Sequence, residues 1–296
     1  MNELLTPKQV AQAIGVSESS LKRWCDRGMI NTVRTPGGHR RMTAAGVMEF
    51  LRNRDQPLVR PELLGLPSNT GKTVRVLERA AEQFHDALAE GDEEIARQVV
   101  FDLYLAEHRL GKVFDLVLAP AYHRIGDGWE HQDLEVYQER RAVEIGNRIL
   151  GELRQVLPAP AADAATALGG TCEGDPYQLS TAMTEVVLRE SGWRATNLGA
   201  SLPFDTLAAA LDRHRPRLLW LSVSTLADEE AFVQQYASLF DLAETIGAAV
   251  VVGGRALHEP LRRRVRYAAF CDNLQHLESF AASLQGDAPD GKTPRQ

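Results

Sequence analysis

The stretch 34–41, which reads Arg-Thr-Pro-Gly-Gly-His-Arg-Arg, constrains the local fold more than any other part of the chain. Gly37 and Gly38 can adopt positive φ without a steric penalty, and Pro36 fixes the start of a turn. The sequence therefore predicts a tight loop between two strands, from Met29 to Arg34 and from Arg40 to Thr43. Guanidinium groups on such a loop suit phosphate oxygens and groove edges. Taken alone, the same stretch is equally compatible with a solvated basic hairpin.

Two short helices are predicted before this loop and one after it. They run from Pro7 to the Gly15 turn, from Glu18 to Arg27 and from Thr43 to about Arg54. Thr6 and Ser17 stand at the capping positions of the first two, and Leu21 and Trp24 are predicted core residues of the second. Two helices joined by a tight glycine turn and followed by a hairpin are typical of a winged helix-turn-helix.

Charge is distributed unevenly along the chain. Met1 to Arg60 carries ten Lys and Arg against five Asp and Glu, a net charge of +5, whereas the whole chain carries −7. The remaining residues therefore carry −12. Because DNA phosphates attract basic surfaces, this concentration of positive charge predicts DNA contact by the N-terminal part.

Residues 4 to 54 resemble the winged helix-turn-helix of the MerR family, in the version whose wing reads Thr-Pro-Gly-Gly-His-Arg. The resemblance implies double-stranded operator DNA as a partner. It places Ser19, Ser20, Lys22 and Arg23 in the major groove, and Arg34, His39, Arg40 and Arg41 on the flanking backbone or in the minor groove. Heads of this family generally act as dimers on two-fold sites, so a homo-oligomer is expected.

The whole chain is predicted to be multidomain. The predicted segments are a head at 1–56, a linker at 57–72, a four-helix bundle at 73–157, a second linker at 158–165, an α/β domain at 166–286 and a disordered tail at 287–296. Bundle helices are predicted at about 73–90, 92–110, 111–130 and 133–157. Their short connections favour antiparallel neighbours.

Alternating strands and helices begin at residue 166. The predicted strands are Thr166–Thr171, Arg194–Leu198, Leu218–Val223 and Ala248–Val252, and helices are predicted at about 177–191, 204–213, 228–246, 257–266 and 275–284. This alternation predicts a doubly wound, flavodoxin-like parallel sheet. Ser222, Ser224, Gly253 and Gly254 stand at strand ends, at the edge where such sheets bind ligands, although these residue types also form ordinary turns.

A head, a bundle and a flavodoxin-like sheet in this order resemble the light-sensing cobalamin repressors of the CarH/LitR type. That family carries Asp/Glu-x-His-x-x-Gly after the first strand, where the His ligates cobalt and the acid orients it. The matching stretch, 175–180, reads Asp-Pro-Tyr-Gln-Leu-Ser, so Tyr177 replaces the cobalt ligand and Ser180 replaces the glycine, while Asp175 matches the acid. A neutral phenol is a much poorer cobalt ligand than imidazole at pH 7.

The bundle departs from the same family at a second position. The family places a Trp over the upper face of the corrin, followed ten and eleven residues later by Glu and His. Trp129 and Glu139 match, but Arg140 replaces the His. Cobalamin is thus implied by the resemblance and opposed by two substitutions, and Trp129 is equally compatible with a role in the bundle core. Adjacent helix positions point in different directions, so Glu139 and Arg140 need not pair with one another.

Several classes of protein do not match the sequence. There is no run of eighteen apolar residues and no secretory start, and three scattered cysteines (Cys25, Cys172 and Cys271) have no metal or disulfide spacing, so a cytoplasmic protein without a membrane partner is expected. No catalytic constellation and no metal site is recognisable, so an enzyme is not expected. The basic run from Leu261 to Arg266 indicates either a solvated helix face or a self-association surface.

These observations favour a DNA-binding transcriptional regulator whose C-terminal half has the shape of a cobalamin domain without its histidine ligand. That half would serve oligomerisation, bind a regulatory protein or take a different ligand. The alternative is a light-sensing repressor that binds cobalamin, or another tetrapyrrole, with altered ligation. A corrinoid carrier for methyl transfer would need the missing histidine and a catalytic partner domain.

Overall fold

A computed structural model describes residues 4–35, 37–54, 59–64, 77–130 and 134–286 of the chain. Its contacts divide the chain into two units, Met1–Ala159 and Pro160–Gln296. The predicted tail at 287–296 and most of the predicted linker at 57–72 lie outside the described residues. Among the helices of the described ranges, none is both long and apolar enough to cross a bilayer.

Three helices and a two-stranded hairpin form the head at the start of the first unit. They are α1 (Pro7–Ile14), α2 (Glu18–Asp26), β1 (Val33–Arg34), β2 (Arg40–Arg41) and α3 (Ala44–Arg54). Thr6 Oγ1 accepts a hydrogen bond from Gln9 N at 3.2 Å in a capping box, and α1 ends at Gly15 with φ 76°. The core of the head contains Val10, Ile14, Leu21, Ile30, Met42, Val47 and Phe50. The predicted winged helix-turn-helix is therefore confirmed.

The strands of the wing are shorter than predicted, because the residues beside them make other contacts. β1 pairs antiparallel with β2, and Arg34 lies opposite Arg40. Met42 bridges instead to Leu5, with N···O distances of 2.8 and 3.0 Å in the two directions. Met29 N–H is used to close the end of α2. Pro36, predicted to start the turn, lies outside the described residues.

Part of the predicted linker packs against the head. The backbone N–H groups of Val59 and Arg60 donate to the carbonyl oxygen of Ala13 at 2.7 and 2.9 Å. Pro61–Leu64 then forms a single 3₁₀ turn, and Leu64 is buried. These residues extend the head beyond the boundary predicted at residue 56, because their backbone groups find partners at the end of α1.

Four antiparallel helical segments form the bundle in the rest of the first unit. They are α4 (Leu77–Glu90), α5 (Glu93–Leu105), a third segment made of α6 (Leu110–Val113), a π-helical turn (Phe114–Leu118) and α7 (Ala119–Glu130), and α8 (Val136–Val156). The second helix ends five residues earlier than predicted. The chain there turns through Glu107, whose φ of 65° is incompatible with a continuing right-handed helix.

The second unit contains a five-stranded parallel sheet. Its strands are β3 (Thr166–Thr171), β4 (Arg194–Asn197), β5 (Leu218–Ser222), β6 (Ala249–Gly253) and β7 (Ala269–Phe270), in the spatial order β4-β3-β5-β6-β7. The helices are α9 (Gln178–Glu190), α10 (Phe204–His214), α11 (Glu229–Ile246), α12 (Glu259–Arg262) and α13 (Leu274–Gly286). This order is that of a flavodoxin-like doubly wound sheet, as predicted. The order reverses between β3 and β5, so the crevice for ligands is expected at their carboxyl ends.

Two parts of this unit differ from the prediction. The helix predicted at 257–266 contains only the four residues of α12, and the chain then leads into β7, a strand that was not predicted. β7 has two residues, too few for an alternating pattern to be visible in the sequence. The apolar core lies on both faces of the sheet, with α10 and α11 on one side and α9 and α13 on the other.

Candidate functional site

The proposed major-groove residues lie on one short helix. Ser17 caps α2 by accepting a hydrogen bond from Ser20 N at 3.1 Å. Lys22 and Arg23 are exposed, and Arg23 Nη2 lies 3.3 Å from Ser20 Oγ. Ser19 is also exposed. The four predicted residues are therefore grouped on the outer side of α2, while Leu21 is buried beneath them.

The predicted wing contacts divide into two groups. Arg34 and His39 are exposed, and Arg41 is half-buried with its Nη1 donating to the Arg40 carbonyl oxygen at 3.0 Å. Arg40 behaves differently, because its Nη2 lies 2.7 Å from Asp26 Oδ1 at the end of α2. The hydrogen bond with Asp26 raises the pKa of the Arg40 guanidinium further, so it is charged at any physiological pH. Arg40 is thus committed to a protein contact, which the sequence did not predict.

Asp175, which matches the acidic residue of the cobalamin motif in the sequence, is fully buried in the loop between β3 and α9. Its Oδ2 accepts a hydrogen bond from Ser224 N at 2.5 Å, and its Oδ1 accepts one from Tyr177 N at 3.1 Å. Burial raises the pKa of this carboxyl group, and the N–H donors together with the Arg255 charge act in the opposite direction. Both oxygens therefore already have donors from the chain itself.

Tyr177 stands at the N-cap of α9 with its ring exposed. The Arg255 guanidinium carbon lies 5.3 Å from the centroid of that ring, and Arg255 Nε donates to Ser224 O at 3.2 Å. A cation over a phenol ring is a favourable arrangement in itself. It also puts a positive charge beside the residue that, by the predicted correspondence, replaces the cobalt ligand. The donor set at this position does not fit a cobalt-ligating site.

The glycines at the end of β6 have a structural explanation. A Cβ on Gly253 would lie 2.9 Å from the carbonyl oxygen of Cys271, and a Cβ on Gly254 would lie 2.2 Å from that of Val223. Gly254 also has φ 117°. Ser222 is buried in β5 next to Gly253 in register. The predicted residues do meet at one edge of the sheet, but the space beside the glycines contains protein backbone.

The sheet face beneath α9 is filled by Trp220, which the sequence analysis did not single out. A Cβ on Gly169 would lie 2.1 Å from the indole Cδ2, so the ring packs directly on the backbone of β3. Trp220 Nε1 donates to Thr181 Oγ1 at 2.8 Å, and Thr181 Oγ1 donates to Asn197 Oδ1 at 3.2 Å. Two consecutive glycines in a predicted strand are a signal of such close approach.

A groove of about 560 Å³ between α10 and α11 offers no better fit to cobalamin. Phe204 and Leu239 contribute its apolar lining, but Glu173 and Asp205 stand at it as well. Two carboxylates repel the phosphate of a nucleotide tail. Within the described ranges, moreover, no three His, Cys, Asp or Glu side chains are grouped as a metal ion would require.

The bundle residues of the predicted site lie at the end of α7 and the start of α8. The side chain of Trp129 is outside the described part of the chain. Arg140 is largely exposed, and its Nε lies 3.3 Å from Glu139 Oε2, so these two neighbours form an ion pair. Long side chains can meet across adjacent positions by bending over the helix surface.

The basic run at 261–266 is compensated by acidic side chains. Arg262, Arg263, Arg264 and Arg266 form ion pairs with Asp272, Glu259, Glu230 and Asp241, respectively. The Arg266 guanidinium also lies 4.5 Å from the centroid of Phe240. This arrangement favours a solvated surface joined to α11 over a free basic surface for self-association.

Comparison with known proteins identifies similarities in two separate regions of the chain. Residues 4–55 match the family described as a helix-turn-helix domain, and residues 80–154 match the family described as a B12 binding domain. The chain is 29% identical over 287 residues to the HTH-type transcriptional repressor CarA of Myxococcus xanthus, covering 92% of each protein. Among solved structures, the monomethylamine corrinoid protein of Methanosarcina barkeri has a similar fold, with a TM-score of 0.58, 13% identity, and coverage of 71% of this chain and 100% of that one. The chain is therefore a DNA-binding regulator that carries a cobalamin-binding-like domain.

Proposed function

We propose that this regulator recognises operator DNA as a homo-oligomer and acts as a repressor without histidine-ligated cobalamin. The observation that carries the DNA contact is the grouping of exposed Lys22 and Arg23 on α2 with exposed Arg34 and His39 on the wing. None of these four side chains has an acidic partner in the described ranges. The similarity to a protein named as a repressor supports repression rather than activation.

The effector half supports a role in assembly or protein interaction. Tyr177 stands in the ligand position under the Arg255 charge, and Asp175 is used to join two loops. The two residues that the resemblance assigns to the cobalt site thus already have partners within the chain. Self-association through the bundle or the sheet domain would bring two heads onto a two-fold operator, and binding of a regulatory protein would modulate that step.

DNA recognition is tested by selecting duplexes from a random library with the full-length protein, followed by gel-shift titration. We expect a site with two repeated half-sites, and an affinity that falls steeply with salt because bound cations are released from phosphates. No enrichment, together with no binding at low salt, would remove the DNA-binding role.

The cofactor part is tested separately with the full chain and a restored variant that carries Tyr177→His, Ser180→Gly and Arg140→His. Each protein is incubated in the dark with adenosylcobalamin, gel-filtered and scanned for corrin absorbance. We expect no retained corrin for the natural chain and retained corrin for the restored variant. Tyr267→His is the matched control, because it introduces a histidine at another exposed tyrosine.

A second candidate function is a photosensory repressor that binds cobalamin with altered ligation. The match of residues 80–154 to a B12 binding domain favours it. In the same experiment, stoichiometric corrin on the natural chain, with bands that change under green light, would establish this candidate and contradict the cofactor-free proposal.

A further inference from the structure

Arg40 is directed toward the recognition helix rather than toward solvent. Its Nη2 lies 2.7 Å from Asp26 Oδ1, and its Nη1 lies 3.5 Å from the carbonyl oxygen of Lys22. Only 22% of its side chain is exposed. Lys22 and Asp26 are one turn apart on α2, so a single guanidinium in the wing contacts the last turn of the helix that carries the proposed base contacts.

Arg34, the residue opposite Arg40 in the hairpin, differs from it in exposure and in ion pairing. Arg34 pairs with Arg40 in the two-stranded ladder, but its side chain is exposed and has no acidic partner in the described part of the chain. Like charges directly opposite each other destabilise a strand pair. Asp26 offsets the repulsion between the two arginines by neutralising Arg40. The Arg40 guanidinium is also favourably placed near the carbonyl end of α2.

The ion pair is too exposed to contribute much to global stability. The Asp26 side chain is half exposed, and exposed ion pairs contribute little because solvent screens them. Its main consequence is geometric, since β2 has only two residues and the chain just after it is held to the head by the Met42–Leu5 bridge. Removing the pair frees the wing to change its angle relative to α2.

We propose that Arg40 is a positioning residue: through Asp26 it holds the wing at a fixed angle to α2, so that Arg34 and His39 reach phosphate while α2 lies in the groove. This inference rests on the proposed DNA-binding function. It removes Arg40 from the set of phosphate contacts and adds Asp26, an acidic residue, to the residues required for tight binding.

A purely electrostatic interaction with DNA and a positioning role for Arg40 predict opposite effects of removing Asp26. If the head interacted with DNA through charge alone, removing an acid would tighten binding. If Asp26 holds Arg40, Asp26→Ala weakens binding, and Arg40→Ala in addition weakens it little further, because residues that act through one contact are not additive. Exchange of the two charges, in the double variant Asp26→Arg and Arg40→Asp, restores part of the lost affinity.

The experiment measures the affinity of the full-length protein for its selected duplex at several salt concentrations. We expect Asp26→Ala and Arg40→Ala each to weaken binding about fivefold to twentyfold, with the slope of log affinity against log salt unchanged. Arg34→Ala and Arg41→Ala are the matched charge-removal controls, and each is expected to lower that slope by about one. Circular dichroism confirms that each variant is folded.

Two results would overturn the inference while leaving DNA binding intact. One is tighter binding by Asp26→Ala, and the other is a loss of about one unit of salt slope in Arg40→Ala, as for a phosphate contact. Failure of the natural chain to bind any duplex at low salt is a different result, because it removes the proposed function and the positioning role with it.

Discussion

The buried carboxylate of Asp175 accepts a hydrogen bond of 2.5 Å from the backbone N–H of Ser224. One side chain thereby joins the loops that follow β3 and β5, the two strands on either side of the point where the strand order reverses. In a doubly wound sheet this crevice is where ligands bind. Here the crevice is bridged by the protein, and Arg255 adds a second connection, because it donates to the Ser224 carbonyl oxygen and lies over the Tyr177 ring.

Asp175→Ala is expected to lower the free energy of unfolding by about 1–3 kcal/mol, because two partly buried backbone N–H groups lose their acceptor. The measurement is urea unfolding of the full chain followed by tryptophan fluorescence. Asp212→Ala is the control, since Asp212 is exposed and its pair with Arg215 at 3.7 Å should contribute about 0.5 kcal/mol or less. Equal effects of the two substitutions would contradict the bridging role.

The contribution of Asp175 to stability should also depend on pH. Burial raises the pKa of Asp175 above its ordinary value of 3.8, so the folded protein binds this proton more tightly than the unfolded chain. The sign follows: the contribution is largest below the unfolded pKa and declines as pH rises through the folded pKa. The difference in unfolding free energy between the natural chain and Asp175→Ala should therefore shrink from about pH 4 upward. If this difference grows as the pH rises, the pKa of Asp175 is not raised in the folded protein.

Gly254→Ala is expected to destabilise the fold more than Gly199→Ala. Both glycines have positive φ, 117° and 103°, so each substitution incurs backbone strain of about 1–2 kcal/mol. Only at Gly254 would the new Cβ also collide with the Val223 carbonyl oxygen, at 2.2 Å, whereas nothing lies within 4 Å at Gly199. The collision should add about 1–3 kcal/mol in urea unfolding. If the two variants unfold at the same urea concentration, the close approach of the Val223 carbonyl oxygen does not restrict the residue at position 254.

The fold was largely predictable because its signals are local. Apolar periodicity, caps and glycine turns located the three helices of the head, the bundle segments and strands β3 to β6. What escaped prediction depends on distant contacts. β7 exists because Ala269 and Phe270 pair with β6, and the wing strand stops at Met42 because Leu5 competes for its backbone groups.

The candidate site was predictable only in part. Parallel topology alone brings Asp175, Ser224 and Gly254 to one edge of the sheet. Sequence could not tell that backbone fills the space beside Gly254. Nor could it pair Arg40 with Asp26, since no spacing rule relates a residue of a hairpin to one on a helix fourteen positions away.

Trp220→Phe is expected to destabilise the protein more than Trp193→Phe. Both tryptophans are buried in the same apolar cluster. The indole N–H of Trp220 donates to Thr181 Oγ1 at 2.8 Å, whereas in the described structure the indole N–H of Trp193 has no acceptor. Each substitution loses some packing, but only Trp220→Phe loses a hydrogen bond, which should add about 1 kcal/mol. The measurement is thermal unfolding of the two variants under one set of conditions. A larger loss of stability for Trp193→Phe would contradict the prediction.

Lys22 and Arg23 are expected to determine sequence preference rather than general affinity. Both are exposed on α2, the helix that we propose enters the major groove. Loss of a base contact should cost about 1–3 kcal/mol at one base pair and relax the preference there. The measurement is competition between the selected duplex and single-base variants of it, for Lys22→Ala and Arg23→Ala in turn. Lys8→Ala is the control, because Lys8 is an exposed cation on α1 and should change affinity without changing the order of preference. If all three substitutions weaken every duplex by the same factor, α2 is not the element that reads the sequence.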